Sequence, residues 1–586
     1  MAITVEIISP RRKIKAAKGR FLSDVLIESG IALSSYCRGR GVCGKCFVEI
    51  LEGARPLFRD GEEKLLKSRG LGPDHRLACR YVLEGPVRLS IPPGSILERM
   101  PILAWGVETP SVFDPAVKKY CLEPEPPDLD RPRSLWDSLL SSLKLDRPRM
   151  TLDLAGSLPV VWEKSGGRLT AVVHHDREIL ALEAGDTSSR SFGLAVDLGT
   201  TTLVMDLVDL VTGRVVDSET SLNGQSAYGA DVVSRLSLVY AEPGKAAPVR
   251  RAVLADLNRM LGELLRRNGL GRRDIYEVVA AGNTAMNHLF LGVPVRSLAL
   301  APFNPVFSTL PALPAARLGL DVHPEGRVYV APNIKSFVGG DVAAGLLASG
   351  FFDKSGVLLY LDLGTNGEIA LKKDGRVLAT STAAGPAFEG MNISHGMLAV
   401  PGAVYRVEED GGPKLFTIGG GPPLGLCGTG LIDLLAFCLR QGLVTARGAL
   451  SAPGKKVALQ AGLVLNQKDV RELQLASAAV KSGMRMMLAA AGLRAADVDG
   501  LFIAGAFGNY LNIARTMSLG LLPSIDPDRI VFLGNAALAG ARVLLLSLEA
   551  RRRLESLVGD IQHFSLAAQP GFQEAFIGSL EFAPWS

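Results

Sequence analysis

At 586 residues the chain exceeds what one hydrophobic core organises, and at roughly 150 residues per domain it reads as about four folding units. Its 64 basic and 59 acidic side chains leave a net charge of +5, too thin a surplus over this length to hold nucleic acid. A composition of 47% hydrophobic and 21% charged residues excludes a disordered or collagen-like chain.

Mean hydropathy is positive at +0.23, yet no run reaches the roughly 18 uncharged apolar residues of a membrane-spanning helix. Stretches such as Leu501 to Phe507 have strand length, and the excess apolarity belongs in buried parallel strands. The N-terminus alternates like a strand and lacks the apolar core of a secretory signal, so a cytoplasmic location is expected. Four of the seven cysteines fall within the first 80 residues, a clustering that points to a metal site and away from a disulfide scaffold.

Along the chain, Ile3 to Ile8 reads as a strand, Arg11 to Gly19 as a hairpin return, Phe21 to Ser29 as a helix stopped by Gly30, and Phe47 to Leu51 as a further strand. Between them stand Cys37, Cys43 and Cys46 in the spacing C-x5-C-x2-C, followed after 32 intervening residues by Cys79. Two pairs of thiolates are what a [2Fe–2S] rhomb requires, and Gly39, Gly41 and Gly44 free the loop to turn amides toward the sulfurs. A four-cysteine zinc site is the competing reading; the C-x2-C half suits it, whereas the longer half and the crowding of glycine do not. The surroundings resemble a β-grasp ferredoxin, giving a domain over residues 1–93. Cys121, Cys427 and Cys438 lack neighbouring partners and are expected as small buried hydrophobes.

Residues 94–150 are rich in proline and charge and read as a linker, either an arm that gives an electron carrier reach or a passive spacer. A short amphipathic helix is expected from Ser134 to Leu143. Residues 151–190, with strand-like Gly167 to Leu182, form part of a small middle domain. His174 and His175 lie side by side on that strand and are expected on opposite faces, which argues against a shared metal.

From residue 191 to the end the sequence is duplicated. Phe192 to Val216 and Val357 to Ala379 each carry an apolar strand, Asp-Leu-Gly-Thr, a second strand, a glycine turn and a third strand. The turn after the first strand bares amides and hydroxyls to phosphate oxygens, while the aspartate at the strand end can hold Mg²⁺ through water. Val278 to Thr284 repeats as Leu501 to Gly508. Val338 to Gly345 repeats as Leu533 to Gly540, with Gly345 and Gly540 195 positions apart. The glycines and alanines of the latter pair would let two helices approach closely at a hinge. Gly428, Thr429 and Gly430 open a helix over Leu431 to Leu439, where the dipole favours an anion.

This pattern resembles the actin, sugar kinase, hexokinase and heat-shock chaperone superfamily. The resemblance implies a multidomain α/β chain whose residues 191–586 form two ribonuclease-H-like lobes, about 191–350 and 351–586, closing on ATP. It places Asp197, Gly199, Thr200 and Thr201 in the first phosphate loop, and Asp362, Gly364, Thr365 and Asn366 in the second. Gly505 to Gly508 becomes the adenosine-side loop.

More specific segments run through the whole chain: NGQSAYGADVVSR (223–235), AGNTAMNHLFLG (281–292), AAGPAFEGMNISHGM (383–397), NQKDVRELQLASAAVKSGMRMML (466–488), AGAFGNYLN (504–512), GLLP (520–523) and GNAALAGA (534–541). In these the chain resembles the reductive activators of corrinoid proteins, departing at Gly224, where proline is usual, and at Ser477, where lysine is usual. The resemblance implies ATP-dependent transfer of an electron from the [2Fe–2S] cluster to Co(II) of a corrinoid methyltransferase protein, regenerating Co(I), in a homodimer without membrane or nucleic-acid partners. Asp197 and Asp362 would position Mg²⁺ and water. Asp341, whose repeat partner is Ala536, is either a catalytic carboxylate or a helix cap; Glu368 and Glu389 are further candidates for water activation, and His395 is expected to be structural. The alternatives are an ATP-dependent activator of another low-potential enzyme, or a kinase-like or chaperone-like ATPase carrying a redox module.

Overall fold

The structure, a computed structural model, describes the chain except residues 1, 9–11, 30–45, 60, 68–70, 93–94, 96–111, 127, 131, 144, 146–149, 410–411, 452, 506–510 and 586. At the N-terminus, alternation in the strand Ala2–Ile7 turns Ile3, Val5 and Ile7 inward. That strand pairs antiparallel with Arg12–Ala17 and parallel with Val87–Ser90; Phe47–Gly53 and His75–Leu77 complete a five-stranded sheet. Across it lies the helix Leu22–Glu28, burying Leu22, Val25 and Leu26 at the spacing of one helical face. This is the β-grasp arrangement expected from the sequence.

The proline-rich connecting region contributes a strand of its own. Val117–Leu122 pairs antiparallel with Leu169–His174, which pairs in turn with Glu178–Ala184. The helices Leu135–Leu143 and Leu152–Ser165 cover one face with Leu139, Leu143, Leu154 and Leu158. Thr151 caps the second helix by accepting from the Leu154 amide at 3.3 Å. The first strand escaped a reading by composition because VKKYCL buries only its two ends, Val117 and Leu122. Just before it, the Asp114 amide donates to the Leu546 carbonyl and the Leu548 amide donates to that of Asp114, each at 2.9 Å.

The two histidines do not sit on opposite faces of one strand. The strand stops at His174, and His175 and Asp176 take positive φ of 54° and 51°, as a type I′ turn requires. The His175 ring therefore folds back against that of His174, with centroids 4.3 Å apart.

The duplication appears as two six-stranded sheets that match in the order of five strands, the sixth being added at opposite ends, Leu313–Pro314 beside Arg327–Val330 and Gln562–His563 beside Arg376–Thr382. In the first, Val215–Leu222, Thr202–Asp209 and Phe192–Leu198 form an antiparallel meander, and Ile275–Gly282 and Arg327–Val330 continue it in parallel. In the second, Arg376–Thr382, Gly367–Lys373 and Leu358–Leu363 are followed by Gly500–Ala504 and Ile530–Gly534 in the same senses. The helices Gly340–Ala348 and Ala536–Leu546 pack against each other between the sheets. A Cβ on Gly540 would drive into the Ala344 carbonyl, and one on Gly345 into the Tyr360 hydroxyl, so only glycine allows this approach. Around the pair one apolar core takes Val279 and Val342 from one lobe and Tyr360 and Leu544 from the other. Among the described residues no helix is long and apolar enough to cross a membrane.

Candidate functional site

Both Asp-Leu-Gly-Thr turns leave the ends of their first strands and face one cleft between the lobes. Asp197, Gly199, Thr200, Thr201, Asp341, Asp362, Gly364, Thr365, Asn366, Gly428, Thr429 and Gly505 all line it. Gly430 does not; it packs behind the cleft, against the Val404 carbonyl. Gly508 lies outside the described residues.

The turns meet directly. Thr201 Oγ1 is 2.9 Å from Thr365 Oγ1, and the Thr365 hydroxyl donates to Glu389 Oε1 at 3.0 Å. Both hydroxyls hydrogen-bond to the Glu389 carboxylate, so the two turns and Glu389 form one cluster. From behind, the first turn is held by residues the sequence reading left without a role. Asn283 Nδ2 donates to Thr200 Oγ1 at 3.0 Å, Asn223 Nδ2 to the Gly199 carbonyl at 2.8 Å, and fully buried Arg235 to the Thr200 carbonyl at 2.6 Å. The Gly224 amide donates to Asp256 Oδ2 at 2.7 Å, a bond that proline could not make. A residue with a free amide at position 224 therefore has a local use.

At the hinge end the cleft collects carboxylates. Burial pushes Asp197 up to about 7, opposed by the Asn535 amide that donates to it at 2.8 Å and reinforced by Asp362. Burial likewise lifts Asp362 to about 6. Asp341 is raised by burial and then by Asp362 and Asp197; its Oδ1 accepts from the Val342 amide at 2.8 Å in the first turn of its own helix. Glu368 stands opposite Asp362 in the strand register and is raised by burial, Asp341 and Asp362. Buried carboxylates that oppose one another's ionisation suit a divalent cation, which would relieve their repulsion. Gly505, at φ 97°, lies against the second turn, where a Cβ would come 2.7 Å from the Leu363 carbonyl.

Of the cluster cysteines, Cys46 and Cys79 are buried side by side at the edge of the N-terminal sheet, where Phe47 is paired with Leu77 and the Ala78 amide donates to the Cys46 carbonyl. Cys37 and Cys43 lie outside the described residues. Cys427 and Cys438 are buried as expected, with Cys427 on the cleft wall. Cys121 is instead partly exposed, and Arg168 Nε donates to its sulfur at 3.4 Å. His288, unremarked in the sequence, is fully buried, with Nδ1 2.7 Å from the Thr284 carbonyl and Nε2 accepting from the Val306 amide at 3.0 Å. Those partners fix a neutral ring with a structural role.

Comparison with known proteins adds to this geometry. Residues 5–84 match the 2Fe-2S iron-sulfur cluster binding domain, 106–189 the RACo linker region, 192–354 the RACo middle region and 356–584 the C-terminal domain of RACo, the ASKHA domain. The corrinoid activation enzyme RamQ of Eubacterium limosum is 30% identical over 601 aligned positions, covering 97% of each chain. The [Co(II) methylated amine-specific corrinoid protein] reductase of Methanosarcina barkeri is 27% identical, over 67% of this chain and 77% of its own. A solved reductive activator for corrinoid, iron-sulfur protein superposes with a TM-score of 0.76 at 32% identity, covering 100% of this chain and 98% of that one. With the β-grasp unit, the folded linker and the two-lobed ASKHA domain in the same order, this chain belongs to the reductive activators of corrinoid proteins.

Proposed function

We propose that this chain couples ATP hydrolysis in its two-lobed cleft to one-electron reduction of Co(II) to Co(I) in a corrinoid protein of a methyltransferase system. The supporting observation is the pairing, on one polypeptide, of a ferredoxin-like unit with buried Cys46 and Cys79 and a cleft whose two phosphate turns meet at Thr201 and Thr365. The residues fit the groups the reading requires. Cys37, Cys43, Cys46 and Cys79 would hold a [2Fe–2S] cluster, which when bound supplies the transferred electron. Plant-type clusters work near about −400 mV, and Co(I) is a stronger reductant still, so the transfer is uphill unless nucleotide turnover and complex formation bias it.

In the cleft, Thr200, Thr201, Thr365 and Asn366 would face phosphate oxygens with hydroxyl and amide donors, and Gly428 and Thr429 add the N-terminus of the helix Gly428–Arg440. Asp197 and Asp362 would position Mg²⁺ through its waters, with Asp341 completing the acidic side. Lobe closure would then couple the state of the nucleotide to recognition of the partner, the chain acting as a homodimer. The test mixes reduced protein with a Co(II) corrinoid protein, with and without ATP, and follows Co(I) absorbance. ATP-dependent appearance of Co(I) is expected; its absence while ATP is still hydrolysed would favour activation of a different low-potential enzyme.

A further inference from the structure

The cleft holds two carboxylate neighbourhoods with different chemistry. Asp197, Asp341, Asp362 and Glu368 crowd the hinge end, and each is raised by at least one other of them or stands beside one in register. Glu389 belongs to neither crowd nor hinge. It ends the short turn Pro386–Glu389 inside the segment AAGPAFEGMNISHGM, and it lines the cleft beside Gly364 and Thr365 of the second phosphate turn. Its Oε1 accepts from Thr365, whose hydroxyl lies 2.9 Å from that of Thr201, and Thr201 also hydrogen-bonds to the carboxylate, so Glu389 is tied to the phosphate turns of both lobes. Its second oxygen, Oε2, is buried without a hydrogen-bond partner. Burial raises its proton affinity, and no other carboxylate contributes to that rise.

From this geometry we infer that Glu389 is the general base of ATP hydrolysis, with Thr365 orienting it and Oε2 receiving the proton of the attacking water. The inference rests on the ATP reading above. In the step, the water oxygen bonds to the γ-phosphorus while the bond from that phosphorus to the β–γ bridging oxygen breaks, its electron pair leaving on ADP. The water proton passes to Glu389 Oε2 and from there to solvent or the departing phosphate. The carboxylates at the hinge are suited to the cation instead, since a proton on any one of them would remove a negative charge and an acceptor from the cation's water shell. Asp341, open in the sequence between catalysis and capping, then falls on the cation side, and its bond to the Val342 amide is that of a helix start.

The experiment compares full-length native protein with Glu389→Gln and Glu389→Ala, measuring Mg²⁺-dependent ATP hydrolysis and, by calorimetry, binding of a non-hydrolysable ATP analogue. Loss of a positioned base predicts that kcat falls by about 10²–10⁴-fold in Glu389→Gln while analogue affinity stays within about threefold. Formate should restore part of the activity of Glu389→Ala, a rescue that a structural role would not give. Hydrolysis by Glu389→Gln within about threefold of native overturns the assignment, and so does loss of analogue binding, which would make Glu389 a phosphate-holding residue. Failure of the native chain to hydrolyse ATP would instead overturn the reading of the cleft itself.

Discussion

Asn535 Nδ2 donates to Asp197 Oδ2 at 2.8 Å across 338 residues of chain, while Asn535 Oδ1 accepts from the Leu538 amide at 2.9 Å. One side chain thus caps a hinge helix and grips the aspartate of the opposite lobe. Replacing Asn535 by alanine frees Asp197 and removes the cap, at a cost of about 1 kcal/mol for the cap alone. Chemical denaturation of Asn535→Ala should report that loss, and its ATPase activity should fall while the visible spectrum of the N-terminal unit is unchanged.

Asp362 should behave as a residue of the cation side. Asp362→Ala is expected to lose about 10–100-fold in Mg²⁺ affinity or ATPase activity, the scale for groups acting through metal-bound water. Unaltered turnover with unaltered Mg²⁺ dependence would remove Asp362 from the site.

The ferredoxin unit makes an independent prediction. Cys43→Ser, or Cys46→Ser, should abolish the visible and EPR signals of a [2Fe–2S] centre and leave ATP-analogue binding intact. A normal cluster in either variant would refute that ligand assignment, and zinc in the native protein would refute the cluster.

The lobes are also joined by a buried ion pair. Arg551 Nη1 lies 2.8 Å from Glu277 Oε1, with the two side chains 3% and 0% exposed. Despite burial, the Arg551 guanidinium and His174 hold Glu277 down to about 2. Arg551→Ala strands that charge and should destabilise the chain by about 3–5 kcal/mol, whereas the double change Arg551→Met with Glu277→Leu should cost much less. Thermal unfolding of the variants distinguishes the two results.

His323 supplies a pH dependence. Its ring stacks on Tyr276 at 4.5 Å, its Nδ1 accepts from the Glu325 amide, and burial, followed by Arg273, lowers it to about 4. A histidine held neutral in the fold contributes stability that is fully present above its unfolded value near 6.5 and is lost as pH falls through about 4. Denaturation midpoints should therefore fall across that window, less steeply in His323→Gln.

How much of this could be read beforehand depended on the range of the interaction. The glycine turns, the two Asp-Leu-Gly-Thr segments and the small-residue helices are local patterns, and their duplication exposed the two lobes and the hinge. Arg235 and Asn535 could not be recognised in that way, because the Thr200 carbonyl lies 35 residues from one and Asp197 lies 338 residues from the other. Val117–Leu122 was hidden by its proline-rich flanks and by a strand that buries only its ends. The histidine pair failed for a geometric reason, since a single left-handed residue cancels the alternation on which face assignment depends.

The backbone bonds from Asp114 to Leu546 and Leu548 fasten the polypeptide to the C-terminal end of the hinge helix Ala536–Leu546. The segment around Asp114 is thereby moored to the helix that packs between the two sheets. On the function proposed above, any tilt of that helix during nucleotide turnover would carry with it the point at which the N-terminal part of the chain is made fast.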